Sequence, residues 1–309
     1  MVALINKSQA FWSKLSEYSE KNLNCLKRDP KLFLMRKIAR IEAVRDFIVN
    51  LSHLLSQSYE ASVETSSIFK NVDVNEAALA LKNDGYYVGI NLPQEIVQEL
   101  REFAYSATCY GDRNPDFDFN YHQRKQAEAK LGKNFMLGSY LNTTETCPAF
   151  QKLKNDPVLL AIAAKYLGSK PIFVEHELCW SFPVEATLFE QLKAAQVFHY
   201  DIDDYRPIKF FFYLTDVDSS SGPHVCIRGT HKNKKFLHQI LGQRSASIDD
   251  QKLIDDYGSE KVMTVLGTAG SGFVGDTFCF HKGTIPTEKE RLLLQMEFTI
   301  YEYQGVRHC

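Results

Sequence analysis

From about residue 171 onward the chain breaks into short runs of β-branched and aromatic residues: "PIFVEHELCWSF", "QVFHYD", "IKFFFYLTDV", "GPHVCIRGTH", "KVMTVLG", "GFVGDTFCFH" and "RLLLQMEFTIYEY". Gly, Pro, Asp and Ser turns separate them. Seven or more strands packed into about 130 residues can shield their edges only as a double-sheet jelly roll or a barrel. One insertion, "SASIDDQKLIDDYG", reads as a helix capped from Ser247, lying between two strands where loops over a barrel mouth belong. With the aromatic and charged stretch over residues 110–134, it is a candidate lid and substrate rim.

Helices precede these strands, so the fold class is α+β. Residues 1 to about 70 read as helical, with Leu34, Ile38, Ile41, Val44 and Ile48 recurring at helical spacing and Asp29-Pro30 marking a helix start. This gives a helical extension over 1–75, packed on a core domain over 76–309. "ALKNDGYYVGINLPQEIVQELREFAYSA" predicts a helix end, a short strand through Tyr87-Val88 and a new helix from Pro93. In "NDPVLLAIAAKYLGSKP", Asp156 caps a helix, Pro157 suits its first position and Gly168 stops it.

Composition excludes several function classes. A net charge of −2 with interleaved signs lacks the basic footprint of nucleic-acid binding. No stretch approaches a membrane span, and "MVALINKSQAFWSKLSEYSEK" turns polar too early for a signal peptide. Seven scattered cysteines, never spaced CxxC, suggest reduced thiols, so a cytoplasmic location is expected.

The chemistry concentrates in "FHYDIDDYRPIKFFFYLT". On a strand His199 and Asp201 face one side while Tyr200 faces the other. An imidazole and a carboxylate are two thirds of the 2-His-1-carboxylate set that holds non-haem Fe(II). The second histidine must come from His176, His224, His231, His238, His281 or His308. His281 stands out, ending a Gly-bounded strand with Arg291 ten residues on. His231 competes, at a loop position typical of a structural hydrogen bond, and His224 is expected to pack or to face solvent. A guanidinium such as that of Arg291 pairs in planar, bidentate fashion with the far carboxylate of a keto-acid co-substrate, 2-oxoglutarate. Asp203, Asp204, Tyr205 and Arg206 read as a solvated loop or a substrate rim. Lys209 either reaches the pocket or snorkels from the outer face.

The order HxD, then "SSSGPHVCIRGTHK", then "GDTFCFHKG" followed by Arg291 resembles the phytanoyl-CoA dioxygenase family of iron- and 2-oxoglutarate-dependent oxygenases, over roughly residues 78 to 302. "LKNDGYYVGI" is similar to that family's opening strand. The resemblance implies a double-stranded β-helix (jelly roll, cupin-like) core with flanking helices and an N-terminal helical extension. It implies His199, Asp201 and His281 as ligands of Fe(II), Arg291 as the partner of 2-oxoglutarate, and Tyr213 and Thr284 beside that co-substrate. The implied reaction consumes O2 and hydroxylates an unactivated C–H bond of a small molecule, releasing succinate and CO2. The glycine segment reads "GPHVCIRGTH", without the proline of the family's "PGSH" pattern. Two other readings stand beside this one: a non-catalytic barrel binding a small ligand or partner, and a protein-directed hydroxylase. The N-terminal helices would serve the latter as a docking surface, or serve an oligomer as its interface.

Overall fold

The computed structural model describes residues 23–55, 67–141 and 146–303. The helical reading of residues 1–22 and 56–66, and the candidate His308, lie outside the described residues. The strands are β1 (Tyr86–Val88), β2 (Thr108–Gly111), β3 (Asp118–Asn120), β4 (Leu137–Tyr140), β5 (Ile172–Ser181), β6 (Ile208–Tyr213), β7 (His224–Ile227), β8 (Val262–Val265), β9 (Gly272–Asp276), β10 (His281–Gly283) and β11 (Arg291–Thr299). They form an eight-stranded sheet in the order β1-β9-β6-β11-β5-β4-β2-β3 and a three-stranded sheet in the order β10-β7-β8. Every pairing is antiparallel. The expected double-sheet jelly roll is present, and β5 to β11 are its strands from residue 171 on. β2 and β3 correct the reading of 110–134 as a loop. These strands of three and four residues contain Asp, Asn and Gly and carry no apolar alternation, so only the neighbouring sheet edge imposes their pairing.

Helices α1 (Pro30–Ile38), α2 (Glu42–Leu55), α3 (Val74–Asp84), α4 (Gln94–Ser106), α5 (Arg124–Leu131), α6 (Pro148–Lys154), α7 (Pro157–Leu167), α8 (Leu188–Lys193), α9 (Phe236–Leu241) and α10 (Asp250–Tyr257) flank the sheets. Local signals hold where capping chemistry is explicit. Asp156 accepts from Val158 N at 2.9 Å, Pro157 opens α7, and Gly168 closes it at φ 69°. Asp29 accepts from Leu32 N at 2.9 Å ahead of Pro30. For α10 the cap is Asp249, not Ser247, because residues Gly242–Ser247 form a separate 3-10 turn.

The expected apolar stripe of the N-terminal helices is rotated. Leu34 and Val44 are 58% and 37% exposed, whereas Leu32, Met35, Ala39 and Val49 are buried. A turn between α1 and α2 resets the helical phase, so one continuous period cannot describe both. Leu32, Met35 and Ala39 pack on Phe198, Tyr200, Ile202, Phe278 and Phe280, behind the HxD segment, and Val49 joins the core under the main sheet. Arg36 adds a 3.0 Å ion pair to Asp203.

The main sheet sorts residues by period two. Ile208, Phe210 and Phe212 of β6, and Leu292, Leu294, Met296 and Phe298 of β11, join the core under α3, α4, α6 and α7. The alternate positions, Lys209, Phe211, Arg291, Leu293 and Gln295, line a cavity on the opposite face. One face is therefore a hydrophobic foundation and the other a polar chamber, cut from the same strands.

Lys234, behind the small sheet, is buried with its Nζ 3.8 Å from the Phe280 ring centre and 4.1 Å from that of Tyr200. Nζ has no hydrogen-bond acceptor among the described residues, and burial pushes its pKa down to about 7. The unfolded chain therefore binds this proton more tightly, and stability rises with pH from about 7 towards the ordinary lysine value, by at most roughly 1.4 kcal/mol per pH unit. Lys234→Met is expected to raise the melting temperature at pH 7 and to flatten this rise. Melts at pH 7 and pH 9 check it; an unaltered difference between the two would contradict it.

Candidate metal centre

The HxD segment is an irregular stretch and not the regular strand expected. His199 forms an isolated antiparallel bridge with His281, at the start of β10, through N–H to O=C bonds of 3.0 and 2.8 Å in the two directions. Asp201 N donates to Thr277 O at 2.9 Å. These backbone bonds bring together residues eighty positions apart and set the two imidazole rings 4.4 Å apart, centre to centre. The ligand atoms of His199, Asp201 and His281 all lie within 4.8 Å of one another, the one such group of His, Cys, Asp and Glu among the described residues. His199 Nε2 is 3.8 Å from Asp201 Oδ1, and His281 Nε2 is 3.7 Å from Oδ2.

Hydrogen bonds behind the rings orient them. His199 Nδ1 donates to Val197 O at 2.8 Å and His281 Nδ1 donates to Cys279 O at 2.9 Å. A carbonyl only accepts, so Nδ1 carries the proton and each Nε2 presents a lone pair to the shared point. Burial, reinforced by the nearby His199, pushes His281 down to about 3, which keeps that imidazole neutral. Burial opposes ionisation of Asp201, but Lys209, His281 and His199 outweigh it and hold the carboxyl below its ordinary range. Two neutral imidazoles and one carboxylate are a donor set that fits a divalent first-row metal and leaves positions open.

The cluster opens on a cavity of about 250 Å³ whose wall includes Arg291. Arg291 is buried at the head of β11, donating from Nη2 to Ser181 Oγ at 3.1 Å and from Nη1 to Gly222 O. Gly222 holds φ at +73°, and a Cβ there would meet Thr284 O at 2.6 Å, so glycine is required where this carbonyl is presented. Arg291 Nε has no partner, and no carboxylate pairs with this guanidinium among the described residues. A buried cation held only by neutral oxygens suits an incoming carboxylate.

Tyr213 and Thr284 are not among the side chains that line this cavity. The Tyr213 hydroxyl donates to Val265 O and accepts from His224 N, both at 2.9 Å, so it stitches the two sheets together. Thr284 Oγ1 donates to Pro223 O at 2.9 Å. Asp203 and Asp204 are buried, not a solvated rim. Asp203 meets Arg36, and Asp204 Oδ2 accepts from Ile300 N at 2.6 Å while burial pushes its pKa up to about 6. Of the candidate lids, residues 110–134 contribute Arg113 to the cavity wall, and α10 contributes nothing.

Two residues at the site exceed their sequence reading. His224 is buried in the cavity wall, its ring 5.6 Å from that of His281 and its Nε2 3.1 Å from the Tyr86 hydroxyl. Gly275 makes room for that tyrosine, since a Cβ there would lie 2.4 Å from the Tyr86 ring. Lys209 points into the cavity, with Nζ 2.8 Å from Asp201 Oδ2, 3.3 Å from Glu297 and 3.9 Å from Asp203. Its register opposite Glu297 on β11 is the signal that settles its direction. Lys209→Met leaves Asp201 and Glu297 buried without their cation, while Asp203 keeps Arg36, so the metal-free protein should lose about 3–5 kcal/mol of stability. Chemical denaturation measures this, and a loss under about 1 kcal/mol would contradict the pairing.

The chain matches no protein-family model and no curated protein. Two solved structures align with most of it. HygX from Streptomyces hygroscopicus, with nickel and 2-oxoglutarate bound, aligns at 16% identity over 74% of this chain and 87% of that one, with a TM-score of 0.50. AviO1 from Streptomyces viridochromogenes Tue57 aligns at 13% identity over 76% of this chain and 99% of that one, with a TM-score of 0.49. The likeness to HygX places the two-sheet core in the double-stranded β-helix fold.

Proposed function

We propose that the chain is an Fe(II)- and 2-oxoglutarate-dependent oxygenase that hydroxylates an unactivated C–H bond of a small polar molecule. The observation that carries this is the convergence of His199 Nε2, His281 Nε2 and the Asp201 carboxylate beside the cavity that holds Arg291. His199, Asp201 and His281 would hold the iron, and Arg291 would receive the distal carboxylate of 2-oxoglutarate. When bound, iron and 2-oxoglutarate together supply dioxygen activation coupled to decarboxylation, with succinate and CO2 as products.

The protein's own part is placement and exclusion. Lys209 holds Asp201 Oδ2, which fixes the carboxylate's orientation towards the two imidazoles. Phe211 and Leu293 wall the chamber with apolar surface, which limits water beside a reactive centre. Leu137, Ala194 and Ala195 add further apolar surface, and Glu175, Glu177, Gln295 and Arg113 supply polar groups, with Arg113 Nε 2.6 Å from Glu177 Oε1 and Gln295 Nε2 3.0 Å from Oε2. Those polar groups suit a substrate that carries polar substituents. An adjoining cavity of about 450 Å³ shares Arg113, Leu137 and Ala194 with the chamber and would house the rest of such a molecule. The membership suggested by sequence, the phytanoyl-CoA dioxygenase family, agrees with the order of these residues along the chain. Incubation with Fe(II), 2-oxoglutarate and O2 should release succinate, faster with a true substrate than without one. Absence of succinate with reconstituted iron would overturn the assignment.

A further inference from the structure

A second cavity, of about 460 Å³, lies between α2, the ends of α3 and α7, and the loops carrying Arg206 and His231. It shares no lining residue with the metal chamber. Arg45, Lys82, Lys165, Arg206 and Lys232 line it, against the carboxylates of Asp46 and Asp276. Asp276 is already engaged, accepting from the Tyr166 hydroxyl and from Phe278 N at 2.8 Å.

Among the described residues these cations have neutral partners only. Arg45 is 7% exposed, donates from Nη2 to His231 O, and places its guanidinium carbon 4.1 Å from the Phe278 ring centre. Arg206 Nη1 donates to Tyr166 O at 3.3 Å, and Lys232 Nζ donates to Lys82 O at 2.8 Å. Neither Arg45 nor Arg206 has a carboxylate within ion-pair distance among the described residues. A buried guanidinium without an anion is an expensive arrangement. Two guanidiniums in one concavity, with three lysines around them, match the planar, multidentate demand of phosphate oxygens.

We propose that this cavity binds a small phosphate-bearing anion of the diphosphate type, independently of the oxygenase assignment. The formal excess of cations over carboxylates on its wall, five against two, exceeds what one carboxylate ligand would neutralise.

Calorimetric titration of the full-length chain with inorganic pyrophosphate at about 0.15 M salt tests this. Saturable one-to-one binding is expected, retained in His199→Ala. Arg206→Gln and Lys232→Glu should each weaken it at least tenfold, with circular dichroism confirming that both variants fold. Lys232 is only half-buried, so its variant stands if Arg206→Gln misfolds. Absence of saturable binding, unchanged affinity in the folded variants, or loss of binding in His199→Ala would overturn the proposal. Malonate binding as tightly as pyrophosphate would overturn the phosphate assignment.

Discussion

Asp201→Ala is expected to reduce 2-oxoglutarate conversion to background, a loss of at least about 100-fold. Removing an outer-shell partner of a metal ligand already costs 10–100-fold, and Asp201 is the only carboxylate in the three-residue cluster. The same change strips Lys209 of its 2.8 Å partner and leaves it with Glu297 and Asp203. The double variant Asp201→Ala/Lys209→Met also strips the buried Glu297 of its cation. It should be as inactive as the single variant but less stable than it, and equal inactivity at unequal stability separates a metal role from a purely structural one. Near-native succinate formation in folded Asp201→Ala would refute the ligand assignment.

Arg291→Leu should raise the 2-oxoglutarate concentration needed for half-maximal turnover by about 30-fold or more, while activity at saturation falls far less. Truncating one side of a buried, hydrogen-bonded charge pair costs about 2–5 kcal/mol, and each 1.4 kcal/mol is a factor of ten. Arg291 is buried and its hydrogen-bond partners among the described residues are neutral, so the bound carboxylate would be its counter-charge. Arg291→Lys keeps the charge without the planar fork and should fall between the two. Steady-state kinetics against 2-oxoglutarate measures this, and an unchanged half-saturation value would remove Arg291 from that role.

Much of the fold was readable because its signals are local. Strands β5 to β9 and β11 announce themselves by β-branched and aromatic runs, and α7 by Asp156, Pro157 and Gly168, whereas β10, His281–Gly283, has no such run. The short strands β2, β3 and β4 do not, because their pairing comes from the sheet edge and not from their residues. At the centre, His199, Asp201 and His281 could be nominated from spacing and order, yet their convergence depends on a long-range backbone bridge that no local pattern encodes. Tyr213 is likewise placed by long-range bonds. Its strand position is plausible for a pocket residue, but a hydroxyl bond to Val265 diverts it into the seam between sheets. Asp203 and Asp204 look like a solvated loop until Arg36 and the end of β11 close over them. Lys209 and His224 were ambiguous because alternation fixes a face only once the partner strands are known.

No helix among the described residues is long and apolar enough to cross a membrane, and Cys109, Cys147, Cys179, Cys226 and Cys279 are buried and in no disulfide among the described residues. Purified protein can therefore be handled anaerobically in reducing buffer without disturbing a disulfide among those residues. The most direct measurement is an anaerobic titration of the metal-free protein with Fe(II) in the presence of 2-oxoglutarate, followed by visible absorption. A charge-transfer band that saturates at one iron per chain, and is missing in His281→Ala, is the predicted result. No band in the native protein, or an undiminished band in His281→Ala, would contradict the account.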